Sequence, residues 1–182
     1  IHWFGQINLG LFFILFSSLI IVSFVNAFNI TDGLDGLSCG LLLICLIAFL
    51  AISNSILDSF LVVFIAILTG SITAFLYFNI YKARIWLGDV GSLSLGAVLA
   101  VIGLLTGKIV AVAFISGFFI IEVGTSLVQL LGKKFLNRKI LPIAPFHLYL
   151  LQKGWEEPKV VMRAWLLGFL FAIIGLFIAF SG

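Results

Sequence analysis

Two aspartates three residues apart, Asp32 and Asp35, stand between two long apolar runs of the sequence. Each is followed by a glycine, which allows positive φ and close approach of the backbone to a bound group. A carboxylate that faces lipid costs about 2.5–3.5 kcal/mol on insertion scales, so both must meet water, a cation or a polar ligand. The 26–36 segment therefore predicts one wall of a polar site at a membrane surface. The alternative is that these residues only mark a helix boundary, with Thr31 or Asp32 as an N-cap and Asp-Gly turns beside it.

A second acidic, glycine-rich turn, Gly-Asp-Val-Gly-Ser at 88–92, leads directly into an apolar run. Backbone N–H groups at the start of a helix suit a phosphate, and Asp89 suits Mg²⁺, which takes a carboxylate or two plus phosphate oxygens. Trp86 offers a flat face on which a nucleobase can stack. The alternatives are that Asp89 is the N-cap of the following helix and that Trp86 is an interfacial anchor.

The 132–163 segment is the longest and most basic stretch between apolar runs, and it contains His147. Pro142 and Pro145 break the helix before this histidine and keep it near the membrane face. Opposite two acidic segments, His147 suits contact with a phosphate or the handling of a proton, although a lone histidine is more often a surface or packing residue. The surrounding lysines and arginines are also explained by membrane topology or by contact with anionic headgroups.

Glu122 lies within an apolar run and is a functional candidate by default, because ionisable side chains inside a membrane are costly. The alternative is a neutral Glu122 that is hydrogen-bonded between helices. We assign no chemical role to His2. We interpret Cys39 and Cys45 as packing residues, because both lie inside an apolar run with no histidine nearby.

The composition places these segments in a membrane protein. Of 182 residues, 63% are hydrophobic and 9% are charged, and the mean hydropathy is +1.34. Six runs approach the 17–25 or so apolar residues that span a bilayer. These runs are 11–28, 37–52, 60–78, 93–107, 109–131 and 164–180. None shows the alternation of a barrel strand, so we predict an all-α polytopic membrane protein with a single domain over 1–182.

The second and fourth apolar runs are short, so each is expected to start within the polar segment that precedes it. With six alternating helices, nine of the ten lysines and arginines fall on the side of the three polar segments, and only Lys108 falls opposite. Asp58 is expected in a short loop on that opposite side. Since an excess of basic residues marks cytoplasmic loops, the polar segments are predicted to face the cytoplasm.

Together the three segments resemble the polyprenyl-phosphate N-acetylhexosamine-1-phosphate transferase superfamily, and most closely its phospho-N-acetylmuramoyl-pentapeptide transferase branch. The residues that carry the resemblance are 26–37, Phe78, Asn79, Ala83, 88–93 and 145–163. The stretch 153–163, Lys-Gly-Trp-Glu-Glu-Pro-Lys-Val-Val-Met-Arg, favours this branch over relatives that use UDP-N-acetylglucosamine. The resemblance covers essentially the whole chain and implies the C-terminal six of ten transmembrane helices.

The resemblance implies that undecaprenyl phosphate attacks the β-phosphate of UDP-N-acetylmuramoyl-pentapeptide with Mg²⁺, giving lipid I and UMP for peptidoglycan synthesis at the bacterial plasma membrane. Asp89 matches the magnesium-binding position, Asn29 is placed near the metal, and His147 matches the first histidine of a His-His-His segment. Asp89 and His147 are thus the catalytic candidates. Asp35 matches a position near uracil, and Trp86 matches an aromatic, more often Phe, that stacks on uracil. The substrate-binding positions are Asn29, Asp32, Gly33, Leu34, Asp35, Asn79, Trp86 and Gly88.

Two departures from the family pattern are visible. Leu148 and Tyr149 stand where the family has its second and third histidines. The family's N-terminal half, with its paired aspartates, is not in this sequence, which opens with Ile1. We therefore interpret the chain as a C-terminal fragment and expect it to be inactive alone.

The alternatives are a UDP-N-acetylglucosamine-specific transferase, a transporter whose acids line an ion path, and a non-catalytic membrane scaffold. The acids of such a path are Asp32, Asp35, Asp89 and Glu122. No nucleic-acid partner is implied by the resemblance, and a homodimer is left open.

Overall fold

A computed structural model of the chain describes residues 10–55 and 59–181. Every regular element in these ranges is an α-helix. The helices are α1 (Phe12–Thr31), α2 (Leu37–Ser55), α3 (Ser59–Asn79), α4 (Gly88–Leu105), α5 (Ile109–Ile115), α6 (Gly117–Leu136), α7 (Phe146–Gln152) and α8 (Glu157–Ser181). His2 and Asp58, for which expectations were stated above, lie outside the described residues.

Five of these helices, α1, α2, α3, α4 and α8, are long and apolar enough to cross a membrane. α5 and α6 pass the same test together but meet at a bend of 77°, so they count as a sixth span only if the bent pair is one. The prediction of an all-α polytopic membrane protein is confirmed. The run 109–131, predicted as one span, is instead two helices.

The starts of two helices bear on the acidic segments. α4 begins at Gly88, inside the second acidic turn, as expected for the short fourth run. α2 begins at Leu37, so the expectation that it starts within the preceding polar segment is wrong. The physical reason is Gly36, whose φ of +76° lies in the left-handed region that a right-handed helix excludes.

Glycines bring the helices close together around α2, whose residues form much of the core. A methyl group at Gly40 would overlap the indole of Trp165 on α8, and one at Gly168 would lie 2.6 Å from Leu41. A second close approach joins α4 to α1, where a methyl at Gly96 would lie 2.8 Å from the backbone of Val25. Small residues allow such approach in membranes, where packing rather than water drives association.

The break between α5 and α6 falls at Ser116, which is fully buried. Its hydroxyl donates to the carbonyl of Val112 at 2.6 Å, and the thiol of Cys45 donates to the carbonyl of Ile115 at 3.4 Å. The carbonyl of Val112 also accepts the backbone N–H of Ser116 at 3.0 Å, so the two side chains add hydrogen bonds to carbonyls beside the bend, which suits a membrane interior. Cys39 is also buried and unbonded to Cys45, so the packing interpretation of both cysteines is confirmed.

The packing of α2 on α8 predicts that a methyl group added at Gly40 lowers stability, whereas one added at Gly70 does not. Gly40→Ala should destabilise the protein by about 1–3 kcal/mol, because the new methyl overlaps Trp165 and overpacked cores lose about that much. Gly70→Ala on α3 is the matched control, since a methyl there meets no atom within 4 Å. The midpoint of thermal unfolding in detergent should fall for the first variant alone. Equal midpoints for both variants would contradict this packing.

Candidate functional site

Three loops meet at one end of the bundle. Loop one (32–36) joins α1 to α2, loop two (80–87) joins α3 to α4, and loop three (137–156) joins α6 to α8 and contains α7. Lys108 lies at the other end, where its ammonium donates to the carbonyl of Ala179 near the end of α8 at 2.8 Å. The predicted gathering of the three polar segments is confirmed by the side-chain contacts described below.

Asp89 and Asn29 are brought together where α1 ends and α4 begins. The amide of Asn29 donates to Oδ1 of Asp89 at 3.3 Å and to the hydroxyl of Ser92 at 2.9 Å. Asp89 is exposed in the first turn of α4, while the N-cap position is held by Leu87 without a side-chain hydrogen bond. The interpretation of Asp89 as an N-cap is therefore wrong. Gly88 precedes it at φ +61°, and a methyl at Gly88 would meet no atom within 4 Å.

The corner formed by Asn29, Gly88 and Asp89 offers oxygen ligands of the kind that a magnesium ion prefers. The carboxylate of Asp89 is exposed, and Asn29 spends its amide N–H on Asp89 and Ser92, which leaves its carbonyl oxygen as an acceptor. Within the described residues, no three histidines, cysteines or acids cluster as a metal cage. One carboxylate beside a helix N-terminus nevertheless fits Mg²⁺, because this ion takes few protein ligands and completes its shell with phosphate and water.

Asp35 joins loop one to loop two and to α8. Its Oδ2 accepts the backbone N–H of Ala83 at 2.9 Å, and its Oδ1 accepts the indole N–H of Trp86 at 3.2 Å. Its own backbone N–H donates to Oε1 of Glu157 at 2.9 Å. Trp86 remains 69% exposed, so its ring is held at one edge while much of its surface stays open to a ligand.

The remaining residues of loop one do not begin a helix. Thr31 is the last residue of α1, and Asp32 is its C-cap, so the N-cap interpretation of either residue is wrong. Asp32 accepts the hydroxyl of Ser38, while burial raises the pKa of its carboxyl and this hydrogen bond opposes the rise. Leu34 is half-buried and packs against the core, and Gly33 is exposed.

His147 is held by Glu122, the acid inside the bent span. Glu122 is fully buried; its Oε1 accepts the backbone N–H of His147 at 3.1 Å, and its Oε2 lies 3.0 Å from Nδ1 of the ring. Glu122 on α6 is thus hydrogen-bonded to a second helix, α7, as that alternative expected, and its neutral state stays a prediction. Because a carboxylate only accepts, an ionised Glu122 keeps the proton on Nδ1. The other nitrogen, Nε2, lies 2.7 Å from where a methyl at Gly33 would be.

Asn79 lies beneath loop two. It is only 4% exposed, and its amide donates to the carbonyl of Ile85 at 2.9 Å. The amide therefore shapes loop two from below, and its predicted contact with substrate stays a prediction. Loop three has a comparable support, because Gln129 bonds the backbone of Ile140 and Leu141 through both ends of its amide.

Sequence reasoning missed three of the residues that support the site. Glu157 and Trp165 hold loop one from α8, the second through an indole N–H that donates to the carbonyl of Gly36 at 3.2 Å. The role of Glu122 as the partner of His147 was also missed. In each case the two partners are more than twenty positions apart in the sequence, and only Glu122, an acid in an apolar run, stood out by itself.

Gly33→Ala should displace the imidazole of His147, because its methyl would stand 2.7 Å from Nε2. We expect shifted imidazole resonances of His147 in NMR spectra of protein labelled at histidine, with assignment by His147→Gln. Gly124→Ala on α6, where a methyl meets no atom within 4 Å, is the control and should leave these resonances in place. Unchanged resonances in Gly33→Ala would mean that His147 does not face loop one.

The chain is similar in sequence to known proteins over most of its length. A sequence profile of glycosyl transferase family 4 matches residues 1–107, more than half of the chain. The chain is 39% identical, over 186 aligned positions, to the phospho-N-acetylmuramoyl-pentapeptide-transferase of Borreliella burgdorferi. It is 38% and 37% identical to proteins of the same name from Borrelia garinii and Borrelia hermsii. Each alignment covers 94% of this chain and 53% of the relative, so the chain spans about half the length of these curated relatives. By this match, the chain belongs to glycosyl transferase family 4.

Proposed function

We propose that the protein containing this chain transfers phospho-N-acetylmuramoyl-pentapeptide from UDP to undecaprenyl phosphate with Mg²⁺, releasing UMP and giving lipid I for peptidoglycan synthesis. The observation that carries the proposal is the meeting of three loops, through Asn29 with Asp89, Asp35 with Trp86, and Gly33 with His147. Phosphoryl transfer depends on positioning and charge neutralisation more than on covalent chemistry, and these contacts position charged and aromatic groups together.

The diphosphate is assigned to the corner of Asp89, Asn29 and Gly88. When bound there, Mg²⁺ would neutralise phosphate charge that develops during transfer. Asp89 and Asn29 would hold the ion, and the open approach to Gly88 leaves the N-terminal N–H groups of α4 available to phosphate oxygens. The hydrogen bond from Asn29 keeps the carboxylate of Asp89 turned toward α1.

The uracil is assigned to the exposed face of Trp86. The indole N–H donates to Asp35, so the ring is already oriented before a base arrives. Base stacking on an aromatic side chain contributes about 1–3 kcal/mol. The sugar and the rest of the nucleotide would then extend over loop one, where Gly33 is exposed and Asp32 is half-buried.

His147 is assigned a role at the reacting phosphates, because its Nε2 faces loop one while Glu122 fixes Nδ1. With the proton held on Nδ1, Nε2 can accept a proton or a hydrogen bond. Leu148 and Tyr149 cannot duplicate this arrangement, so His147 acts without the two histidines that follow it in the wider family.

The muramoyl substrate is favoured over UDP-N-acetylglucosamine for two reasons. The relatives at 37–39% identity carry the muramoyl-pentapeptide name, and the basic 153–163 stretch of this chain resembles that branch. We place the site on the cytoplasmic face of a bacterial plasma membrane, where the excess of lysine and arginine in loops two and three would lie by the positive-inside rule.

An ion transporter is disfavoured by where the acids lie. A transport path needs groups at several depths, whereas Asp32, Asp35 and Asp89 lie at the loop end of the helices. Glu122 reaches the same end through His147, which contacts loop one. A non-catalytic scaffold would require none of these loop contacts.

Asp89→Asn should abolish transfer in the full-length protein, with a loss of about 10²-fold or more, because Mg²⁺ would lose its carboxylate ligand. Incorporation of labelled phospho-N-acetylmuramoyl-pentapeptide into a polyprenyl phosphate measures this, and a chelator should stop the wild-type reaction until Mg²⁺ is restored. Glu156→Gln is the control, since this exposed acid has no side-chain hydrogen bond within the described residues. Transfer that survives Asp89→Asn, or that proceeds with UDP-N-acetylglucosamine instead, would overturn the assignment.

Glu122→Gln should lower kcat by about 10²–10⁴-fold, the contribution of a positioned proton-transfer group, while KM for the UDP-sugar changes little. An amide in place of the carboxylate offers N–H to Nδ1 and so favours the opposite tautomer of His147. The same transfer assay measures both constants, and folding is checked by gel filtration. A variant with wild-type kcat would show that His147 does not depend on this pair.

A further inference from the structure

Glu157, at the start of α8, touches loop one through Asp35, the residue that accepts the indole N–H of Trp86. Its Oε1 accepts the backbone N–H of Asp35 at 2.9 Å, and the side chain is half-buried. The neighbouring acid Glu156 is exposed and has no such partner among the described residues. Both acids lie where a helix dipole favours negative charge, so the dipole alone does not explain why Glu157 turns toward loop one.

The contact from Glu157 continues to the aromatic ring of loop two. The backbone of Asp35 is held by Glu157, and both of its carboxylate oxygens accept hydrogen bonds from loop two. One accepts the backbone N–H of Ala83 and the other accepts the indole N–H of Trp86. Trp165 holds the following residue by donating to the carbonyl of Gly36 at 3.2 Å. The result is a continuous series of hydrogen bonds from α8 through loop one to an indole that is otherwise 69% exposed.

We propose that Glu157 and Asp35 are positioning residues that hold the Trp86 ring ready for a planar nucleobase. This inference rests on the proposed function, because it names how the base-binding surface of that site is ordered. Each oxygen of the Asp35 carboxylate accepts one N–H group of the protein, from Ala83 or from Trp86, and keeps a second lone pair that a ligand can use. The indole N–H is needed for this arrangement, and a phenylalanine at position 86 has no such donor.

An exposed side chain that is not tethered must lose rotamer freedom when a ligand binds. The cost of ordering one such side chain corresponds to about twofold to tenfold in affinity. Breaking the series should therefore raise KM for the UDP-sugar by about that factor and leave kcat nearly unchanged, as expected when binding of the ground state and of the transition state is weakened equally.

The first measurement is independent of activity. The full-length protein, which includes the four tryptophans of this chain, is labelled with 5-fluorotryptophan. The ¹⁹F signal of Trp86 is assigned by its loss in Trp86→Phe. Glu157→Ala should move the Trp86 signal toward the value of a freely rotating, solvated indole, and Glu156→Ala should not. Glu157→Gln keeps an acceptor oxygen and should restore the wild-type signal. If Glu157→Ala does not fold, Glu157→Asp retains the charge but withdraws the oxygen, and it should give the same shift.

The second measurement is a double-mutant cycle in the transfer assay. If Glu157 acts through Trp86, Glu157→Ala should raise KM in the wild-type background and add little in the Trp86→Phe background. Additive effects, or an unchanged ¹⁹F signal in Glu157→Ala and Glu157→Asp, would overturn the proposal. If Glu157→Ala shifts the ¹⁹F signal but the wild-type protein transfers no phospho-N-acetylmuramoyl-pentapeptide, the proposed function is overturned and the hydrogen-bonded series stands.

Discussion

The arrangement of the loops depends on the hydrogen bonds of Asp35. This residue bonds α8 through its backbone and loop two through both carboxylate oxygens, so three parts of the chain meet at one residue. A carboxylate at a membrane surface is costly unless it is hydrogen-bonded or solvated, and here protein N–H groups meet that need. The physical requirement that made the acid conspicuous in the sequence is thus the same requirement that ties the loops together.

The same reasoning applies to Glu122 and His147 deeper in the bundle. An unpaired carboxylate at 0% exposure would be strongly unfavourable, and the backbone and ring of His147 supply both partners. The pairing pulls loop three over loop one. Gly33 permits that approach, because any side chain at this position would collide with the imidazole. The pair that compensates the burial of Glu122 therefore also sets which nitrogen of the buried imidazole faces loop one.

Much of this organisation could be predicted from the sequence. Five of the six apolar runs correspond to single helices long enough to cross a membrane, and the Gly-Asp-Val-Gly-Ser turn correctly placed the start of α4 at an acidic corner. The bend at Ser116 was not predicted, because 109–131 is mostly apolar and the contacts at the bend come from Cys45 and Phe171 on other helices. The partners of Asp35 and Glu122 were likewise invisible, since Glu157 and His147 are distant in sequence and their pairing follows only from helix packing.

Close helix packing and loop order are linked through Trp165. Its indole lies against Gly40 of α2, and its N–H reaches the carbonyl of Gly36 at the end of loop one. Glu157 lies two turns earlier on the same helix and accepts the backbone N–H of Asp35, the residue before Gly36. α8 is therefore both a membrane-spanning helix and the support of the acidic loop. A site whose chemistry is mainly the alignment of charges needs such rigidity, because a shift of one ångström in a loop would separate the groups that must act together.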